Sequence, residues 1–481
     1  MSALVVMPVV SGCTSEPSDE GQADEASSDT GSETASETTD ESGDETGDAL
    51  APTWHQDIAP IVNATCSGCH RSGGVGPFSL ETYAEAAPWG ELALAAIESG
   101  AMPPWGQDNT AECQPQLPFL HNTRLSADEL ELFAAWVEAG TPEGDPATAA
   151  PLPGPPPTEL ADADHVLEIP SSIDIGPGGD QLWCFVIDPQ FAEDVFVDAT
   201  QVVPGNAAIV HHALVYVDET GESDALADAQ GRYECFGGPE VDGALVAVWA
   251  PGVPPQQTPE GVAMRIPAGA KLVMQVHYHP TGALETDVGT AVAFREHAGT
   301  PAYVAQYALP GNEDSQDDTG YGLQPGPADG GAPEFRIPAG AAAHTERMKI
   351  WVPPNYPELY VWSIGSHMHY LGVDMRISVD RFEPDPNTGL DEECFVQTPH
   401  YDFNWQRGYQ YDAPLEAMPI VRAGDVVVLD CTYDNTMNNQ NLVEALAESG
   451  LDAPIDVFLG EETLDEMCLA AFGVAAPYEG P

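Results

Sequence analysis

The sequence predicts a multidomain protein, a small all-α domain followed by two all-β antiparallel sandwiches. Three observations predict it. The chain has 481 residues, more than one compact core organises at roughly 150 residues per domain. Residues 51–147 space their apolar side chains three and four apart, as helices do. Beyond residue 160, short β-rich runs alternate with Gly, Pro, Asn and Asp turns.

Residues 1–13 read as a leader-like segment, and Val10-Ser11-Gly12-Cys13 resembles the lipobox of a bacterial lipoprotein signal. That resemblance implies cleavage before Cys13 and lipidation of its thiol. The apolar stretch is short and no Lys or Arg precedes it, so an ordinary N-terminus is the alternative. Residues 14–50 are Ser, Thr, Gly, Asp and Glu, too polar to repay the entropy of ordering, and read as a disordered acidic linker.

Within residues 51–147, the runs LETYAEAAPWGELALAAIESG and SADELELFAAWVEAG carry the helical spacing. Ser126 with Glu129 forms a capping box, and Gly140 is placed to stop the second helix. A proline-dense linker follows at 148–160, containing APLPGPPPTEL, stiff and extended. The sandwiches are expected over 161–300 and 301–481, from runs such as AIVHHALVYV, AKLVMQVHYHP and RAGDVVVLDCTYDN. A Gly- and Asp-rich excursion from about Gly311 to Pro333 lies near their division.

Charge excludes two classes of partner. With 13 basic and 78 acidic residues the chain carries −65, which repels nucleic acid and anionic lipid. Only 13 of those acids lie between Thr14 and Leu50, so the acidity belongs mainly to the folded part. No apolar run is long enough for a spanning helix. Membrane contact is expected only through a lipid at Cys13.

Cys66-Ser67-Gly68-Cys69-His70 is a CxxCH motif, in which two thiols form thioethers to a haem and the histidine ligates its iron. A zinc-binding or redox CxxC is the alternative. A second axial ligand is needed downstream, and Met102 in SGAMPPWG is the candidate, with His121 or His55 as alternatives. The run from Trp54-His55-Gln56-Asp57-Ile58 through CSGCH, Gly76-Pro77-Phe78 and Ala101-Met102-Pro103-Pro104-Trp105 to WVEAGTPEG resembles a small bacterial cytochrome c-like domain. That resemblance implies Met102 as sixth ligand, which raises the haem potential and suits an electron carrier.

The 13 histidines include three close pairs. On an extended strand, side chains two apart share a face, so His367 and His369 can meet one metal while Met368 and Tyr370 point away. The same spacing aligns Gln275, His277 and His279. Adjacent His211 and His212 would diverge on a flat strand and need a twist, a bulge or different ring nitrogens. Asp465-Glu466-Met467-Cys468 adds a thioether. Imidazole with thioether is a soft donor set that favours copper, Cu(I) above all, over zinc, magnesium or calcium.

Over residues 160–475 these motifs resemble, in order, the copper type II, ascorbate-dependent monooxygenases, the family of peptidylglycine α-hydroxylating monooxygenase and dopamine β-monooxygenase. The fold class expected is therefore a cytochrome c-like helical domain followed by two jelly-roll-like sandwiches. The resemblance implies one copper at His211, His212 and His277, which stores and delivers an electron. It implies an oxygen-activating copper at His367, His369 and Met467. His279 reads as a supporting residue rather than a ligand. The implied reaction is hydroxylation of a substrate C–H bond by dioxygen, with water as second product and electrons from ascorbate or another donor. The covalent haem is expected to relay electrons to the His211, His212 and His277 copper.

The same resemblance implies disulfides Cys184–Cys235 and Cys431–Cys468, leaving Cys113 and Cys394 unassigned. Paired cysteines and attached haem both imply export, to the periplasm or as a surface lipoprotein. Where peptide-amidating members carry an arginine, an asparagine and a tyrosine for a substrate carboxylate, this chain has Gly365, Leu469 and Ala471, which points away from glycine-extended peptides and toward a small neutral or apolar organic substrate. The alternative function is a non-catalytic haem- and copper-binding electron-transfer or copper-storage protein, which would not need the methionine-containing site. An adhesion or scaffold protein that merely inherited the ligands is a third reading.

Overall fold

The computed structural model describes residues 51–154, 159–386 and 388–480. The leader-like segment with Cys13, the linker 14–50 and positions 155–158 of the proline-rich stretch lie outside the described residues.

Strand accounts for 32% of the structure and helix for 15%, and every helix is short. The longest, Ala127–Glu138, has 12 residues. This overturns the expected fold class: among the described residues there is no small all-α cytochrome c-like domain, and the two expected sandwiches share one sheet. The physical reason lies in residues 99–125, which hold no helix. Pro103, Pro104, Pro115 and Pro118 remove helical donors there, and the segment runs onto the β body instead. Trp105 is buried in the main core, Cys113 is bonded to Cys394, and the Leu120 N–H donates to Gln410 O at 2.8 Å.

Where local signals are uninterrupted, the helices obey them. The Glu129 N–H donates to Ser126 Oγ, while the Ser126 N–H and hydroxyl donate to Glu129 Oε2 at 2.8 and 2.7 Å. That is the capping box the sequence predicts. Trp54, Ile58, Phe133 and Trp136 form a small cluster of their own.

The main sheet has 15 strands. Its centre pairs Gln181–Ile187, Lys271–Tyr278, Val210–Asp218 and Ala244–Trp249, all antiparallel. The strand Lys271–Tyr278 is buried from Leu272 onward, which explains its nearly continuous apolar sequence. Tyr303–Ala308 carries the sheet across the expected division: it runs parallel to Val262–Ile266 and antiparallel to Leu469–Pro477, which pairs with Leu359–His367. A second sheet has five strands, Gly322–Leu323, His344–Trp351, Val426–Tyr433, Gly372–Asp380 and Glu392–Thr398. One hydrophobic cluster spans both sheets.

Two kinds of connection brace the strands and turns that carry the histidine and methionine motifs. The excursion after Pro310 lies against the turn that carries Met467. At Gly311, φ is +132° and a Cβ would come within 2.2 Å of Cys468 O, so only glycine permits the approach. Disulfides join Cys184 to Cys235 and Cys431 to Cys468, the two pairs the family resemblance implies.

Candidate metal centre

His211, His212 and His277 come together at the edge where Val210–Asp218 meets Lys271–Tyr278. His277 faces His212 in register, but Tyr278 faces Val210, so His211 is the extra residue of a β-bulge. A bulge re-aims a side chain that the pleat would send away, and it resolves the divergence expected of adjacent histidines. The ligating nitrogens of the three rings lie within 4.8 Å of one another. His277 Nδ1 stands 3.3 Å from His212 Nδ1, and His211 Nδ1 is buried with no hydrogen-bond partner. Burial, then the neighbouring imidazoles His277 and His279, push His211 down to about 3. Burial also takes His212 well below the usual histidine range. Neutral rings with converging lone pairs are what a cation needs.

Asp180 supports this set. Its two oxygens lie 3.0 Å from His277 Nε2 and 2.8 Å from His279 Nδ1. The second contact is an aligned hydrogen bond, whereas the first lacks that alignment. Burial alone would raise the Asp180 carboxyl, but the two imidazoles outweigh it and hold it below the ordinary carboxylate range. His279 is raised by Asp180 in turn. His279 thus occupies a supporting place beside the set.

His367 and His369 form the second set, with ring centroids 5.5 Å apart. The strand ends at His367, so hydrogen bonds rather than the pleat orient the pair. His367 Nδ1 meets Gln406 Oε1 at 2.6 Å, and His369 Nδ1 meets Asp465 O at 2.9 Å. Both Nε2 atoms are thereby left for a ligand. Glu466, fully buried, accepts the His369 N–H at 2.8 Å, the Leu371 N–H at 2.6 Å and the Met467 N–H at 3.0 Å. The His369 and Met467 amides share one carboxylate oxygen, which brings the thioether-bearing residue beside the histidine pair. Burial pushes Glu466 up to about 8 against the pull of those N–H donors. Burial lowers both histidines, His369 to about 3.

The two sets adjoin. His212 and His367 have ring centroids 6.2 Å apart, and Phe403 lies between the sets, stacked on His211 at 4.9 Å and 6.1 Å from His369. The donor types suit copper: three converging imidazoles on one side, and on the other two imidazoles whose backbone shares Glu466 with the thioether-bearing residue Met467. Positions Gly365, Leu469 and Ala471 lie beside this second set, Gly365 facing Ala471 and His367 facing Leu469 across paired strands. None offers a polar side chain.

The CxxCH residues form a separate place. The Cys69 and His70 N–H groups donate to Cys66 O at 3.2 and 2.9 Å, a helical turn that groups Cys66, Cys69 and His70. Cys66 and Cys69 are free thiols. His70 Nδ1 lies 3.1 Å from Phe78 O, leaving Nε2 for iron. A Cβ at Gly76 would sit 2.8 Å from His70 Nδ1, so the glycine is required by this packing. These features fit a covalently held haem. Met102 follows the helix Gly90–Glu98, half-buried, with its N–H donated to Ala96 O. His121 lies beyond it, exposed, at φ +57°, and His55 is near Glu143.

Sequence reasoning missed Asp180, Phe403 and Gln406, and quoted Glu466 without giving it a role. Only Glu466 had a signal, its place next to Met467 in the DEMC run.

No family model matches the chain, and no curated protein matches it. Among solved structures it is similar to the major capsid protein P2 from bacteriophage PM2, at 9% identity over 66% of this chain and 98% of that one, with a TM-score of 0.23. It is also similar to allantoicase, at 11% identity over 52% and 77% of the chains, TM-score 0.15. A third is the CBM22-1–CBM22-2 tandem domain from Paenibacillus barcinonensis Xyn10C, at 10% identity over 67% and 100%, TM-score 0.17.

Proposed function

We propose that the protein is a copper-dependent monooxygenase that hydroxylates a C–H bond of a small organic substrate with dioxygen. The observation that carries this reading is the meeting of two histidine sets, with His212 and His367 rings 6.2 Å apart and Met467 tied to His369 through Glu466. Copper at these residues would supply one-electron storage on one side and oxygen activation on the other. His211, His212 and His277 would hold the first ion, and His367, His369 and Met467 the second. The chain's own contribution is orientation: Asp180, Gln406, the Asp465 carbonyl and Glu466 fix the rings, and burial keeps His211, His212, His367 and His369 neutral. A haem at Cys66, Cys69 and His70, with Met102 as the proposed sixth ligand, would pass in electrons that ascorbate or another reductant provides.

Gly365, Leu469 and Ala471 leave no charged group beside the second set, which supports a neutral or apolar substrate. Three disulfides support an exported, oxidising location. The test is metal analysis with dioxygen uptake. The reading expects about two copper ions and about one haem iron per chain, with uptake driven by ascorbate and abolished by His369→Ala. Copper bound without any reductant-driven uptake on a panel of small substrates would instead support a carrier.

A further inference from the structure

One segment, residues 400–411, touches both the metal centre and the N-terminal part of the chain. Toward the metal centre it carries three supports. The Tyr401 hydroxyl accepts the Met368 N–H at 3.0 Å and donates to the Met368 carbonyl, so it grips both backbone groups of the residue between His367 and His369. Phe403 stacks on His211, and Gln406 Oε1 meets His367 Nδ1. The segment has little regular structure of its own, one 3₁₀ turn at Phe403–Trp405 and the three-residue strand Gly408–Gln410. Its position therefore depends on what packs against it.

Much of that packing comes from a strap, residues 103–120. The strap leaves the helix Gly90–Glu98, and the chain re-enters a helix at Ser126, the cap of Ala127–Glu138. Both helices join the cluster of Phe133 and Trp136, so the strap is anchored at each end. The His400 N–H donates to Gly106 O at 3.2 Å, the Leu120 N–H to Gln410 O at 2.8 Å and the Asp412 N–H to Pro118 O at 2.8 Å. At Gly106 the approach is close enough that a Cβ would stand 3.0 Å from His400 O. Trp105 is buried and meets Tyr409 edge-on at 5.0 Å, and Phe119 stacks on Tyr411 at 4.9 Å. The middle of the strap is fastened to the strand Glu392–Thr398, which leads into the segment. The Cys113–Cys394 disulfide does this, together with the Thr110 hydroxyl, which donates to Gln397 Oε1 at 2.7 Å.

We infer that the strap is a brace for the metal centre: it positions residues 400–411 and, through Tyr401 and Gln406, the pair His367 and His369. Such coupling runs through packed side chains and hydrogen bonds, all of which are present along this route. Trp105 and Cys113 are then positioning residues for the second histidine set. The N-terminal part is an integral support of that set and not a detachable electron carrier. The brace itself does not depend on haem, and only its effect on copper rests on the two-copper reading above.

The test uses the full-length protein with its disulfides formed. Hydrogen exchange of the copper-free protein, followed by mass spectrometry, reads residues 366–371, and chelator competition of the copper-loaded protein reads each site. Trp105→Ala removes the indole, and Cys113→Ser with Cys394→Ser removes the disulfide. Each is expected to speed exchange across residues 366–371 about tenfold and to weaken the second copper about tenfold, while first-site affinity is kept. If Trp105→Ala does not fold, the cysteine pair carries the test alone. Phe294→Leu is the control, because its strand pairs with His165–Glu168 and Val195–Val203 rather than with the strap or the segment; it should leave both readouts unchanged. Unchanged exchange and unchanged second-site affinity in the strap variants would overturn the brace, as would equal changes in Phe294→Leu. If the unaltered protein binds no copper, the two-copper reading falls by itself and the exchange result still decides the brace.

Discussion

Replacing Glu466 with alanine removes the acceptor for three amides, the buried one of Leu371 and the part-buried ones of His369 and Met467. The side chain is fully buried, so water does not take its place without a cavity large enough to admit it. An amide left without an acceptor in such a place costs about 1–3 kcal/mol, and three give about 3–9 kcal/mol before any packing loss. At about 2.1 cal/mol/K per residue over a body of roughly 320 residues, that corresponds to a fall in melting temperature of at least about 4 °C. The same change frees the backbone of a ligand on each side, His369 and Met467, so the second copper should be lost before the first. Glu466→Gln keeps one acceptor oxygen and should lose only about 1–3 kcal/mol, with weakened second-site copper. The assay is circular-dichroism melting with copper counted per chain at each stage. A Glu466→Ala protein that melts within about 2 °C of the unaltered one and keeps its full copper would refute the reasoning.

Three further outcomes are expected. Asp180→Asn withdraws the charge that pairs with His277 and His279 and should weaken the first copper about 10- to 100-fold, read by chelator competition; unchanged affinity would contradict its supporting role. In copper-free protein, His211 and His369 have folded-state values of about 3 against an ordinary unfolded histidine near 6.5. Below about pH 6.5 the unfolded chain binds protons that the folded chain refuses, so stability is full above that pH and falls as pH drops toward about 3; a melting temperature flat from about pH 7 to 4 would count against buried neutral rings. Cys431→Ser with Cys468→Ser unties Val426–Tyr433 from the residue after Met467, and should destabilise by about 2–5 kcal/mol while copper falls from about two ions to about one. Equal loss from both sites would show that the disulfide does not act on Met467 in particular.

What the sequence makes legible is local. The Ser126 capping box, the β-rich runs and the need for a twist, a bulge or different ring nitrogens at His211–His212 are all written in neighbouring residues, and the structure contains the first two and, of the three options, a bulge. The fold class was not legible, because three- and four-residue apolar spacing marks helical faces without saying how long they last or what they pack on. Prolines between Met102 and Pro118 divert that stretch onto the β body, where Trp105, Cys113 and Phe119 bury against partners far along the chain. Likewise the continuity of the sheet depends on Tyr303–Ala308 pairing with Leu469–Pro477, a contact across most of the second half. Gln406 and Asp180 were missed for the same reason. Gln406 is 39 residues from His367 and Asp180 is 99 from His279, and no periodicity joins such positions. The spacing argument brings His367 and His369 together, and the structure does so by a partly different route, since the strand stops at His367 and hydrogen bonds orient the pair.

X-ray absorption at the copper edge of the Cu(I)-loaded protein tests the central claim most directly. The account predicts a mixed nitrogen and sulfur shell, with the sulfur component lost in Met467→Ala and the nitrogen shell of the His211, His212 and His277 ion kept. A shell of nitrogen alone in the unaltered protein, or one that Met467→Ala leaves unchanged, would contradict it.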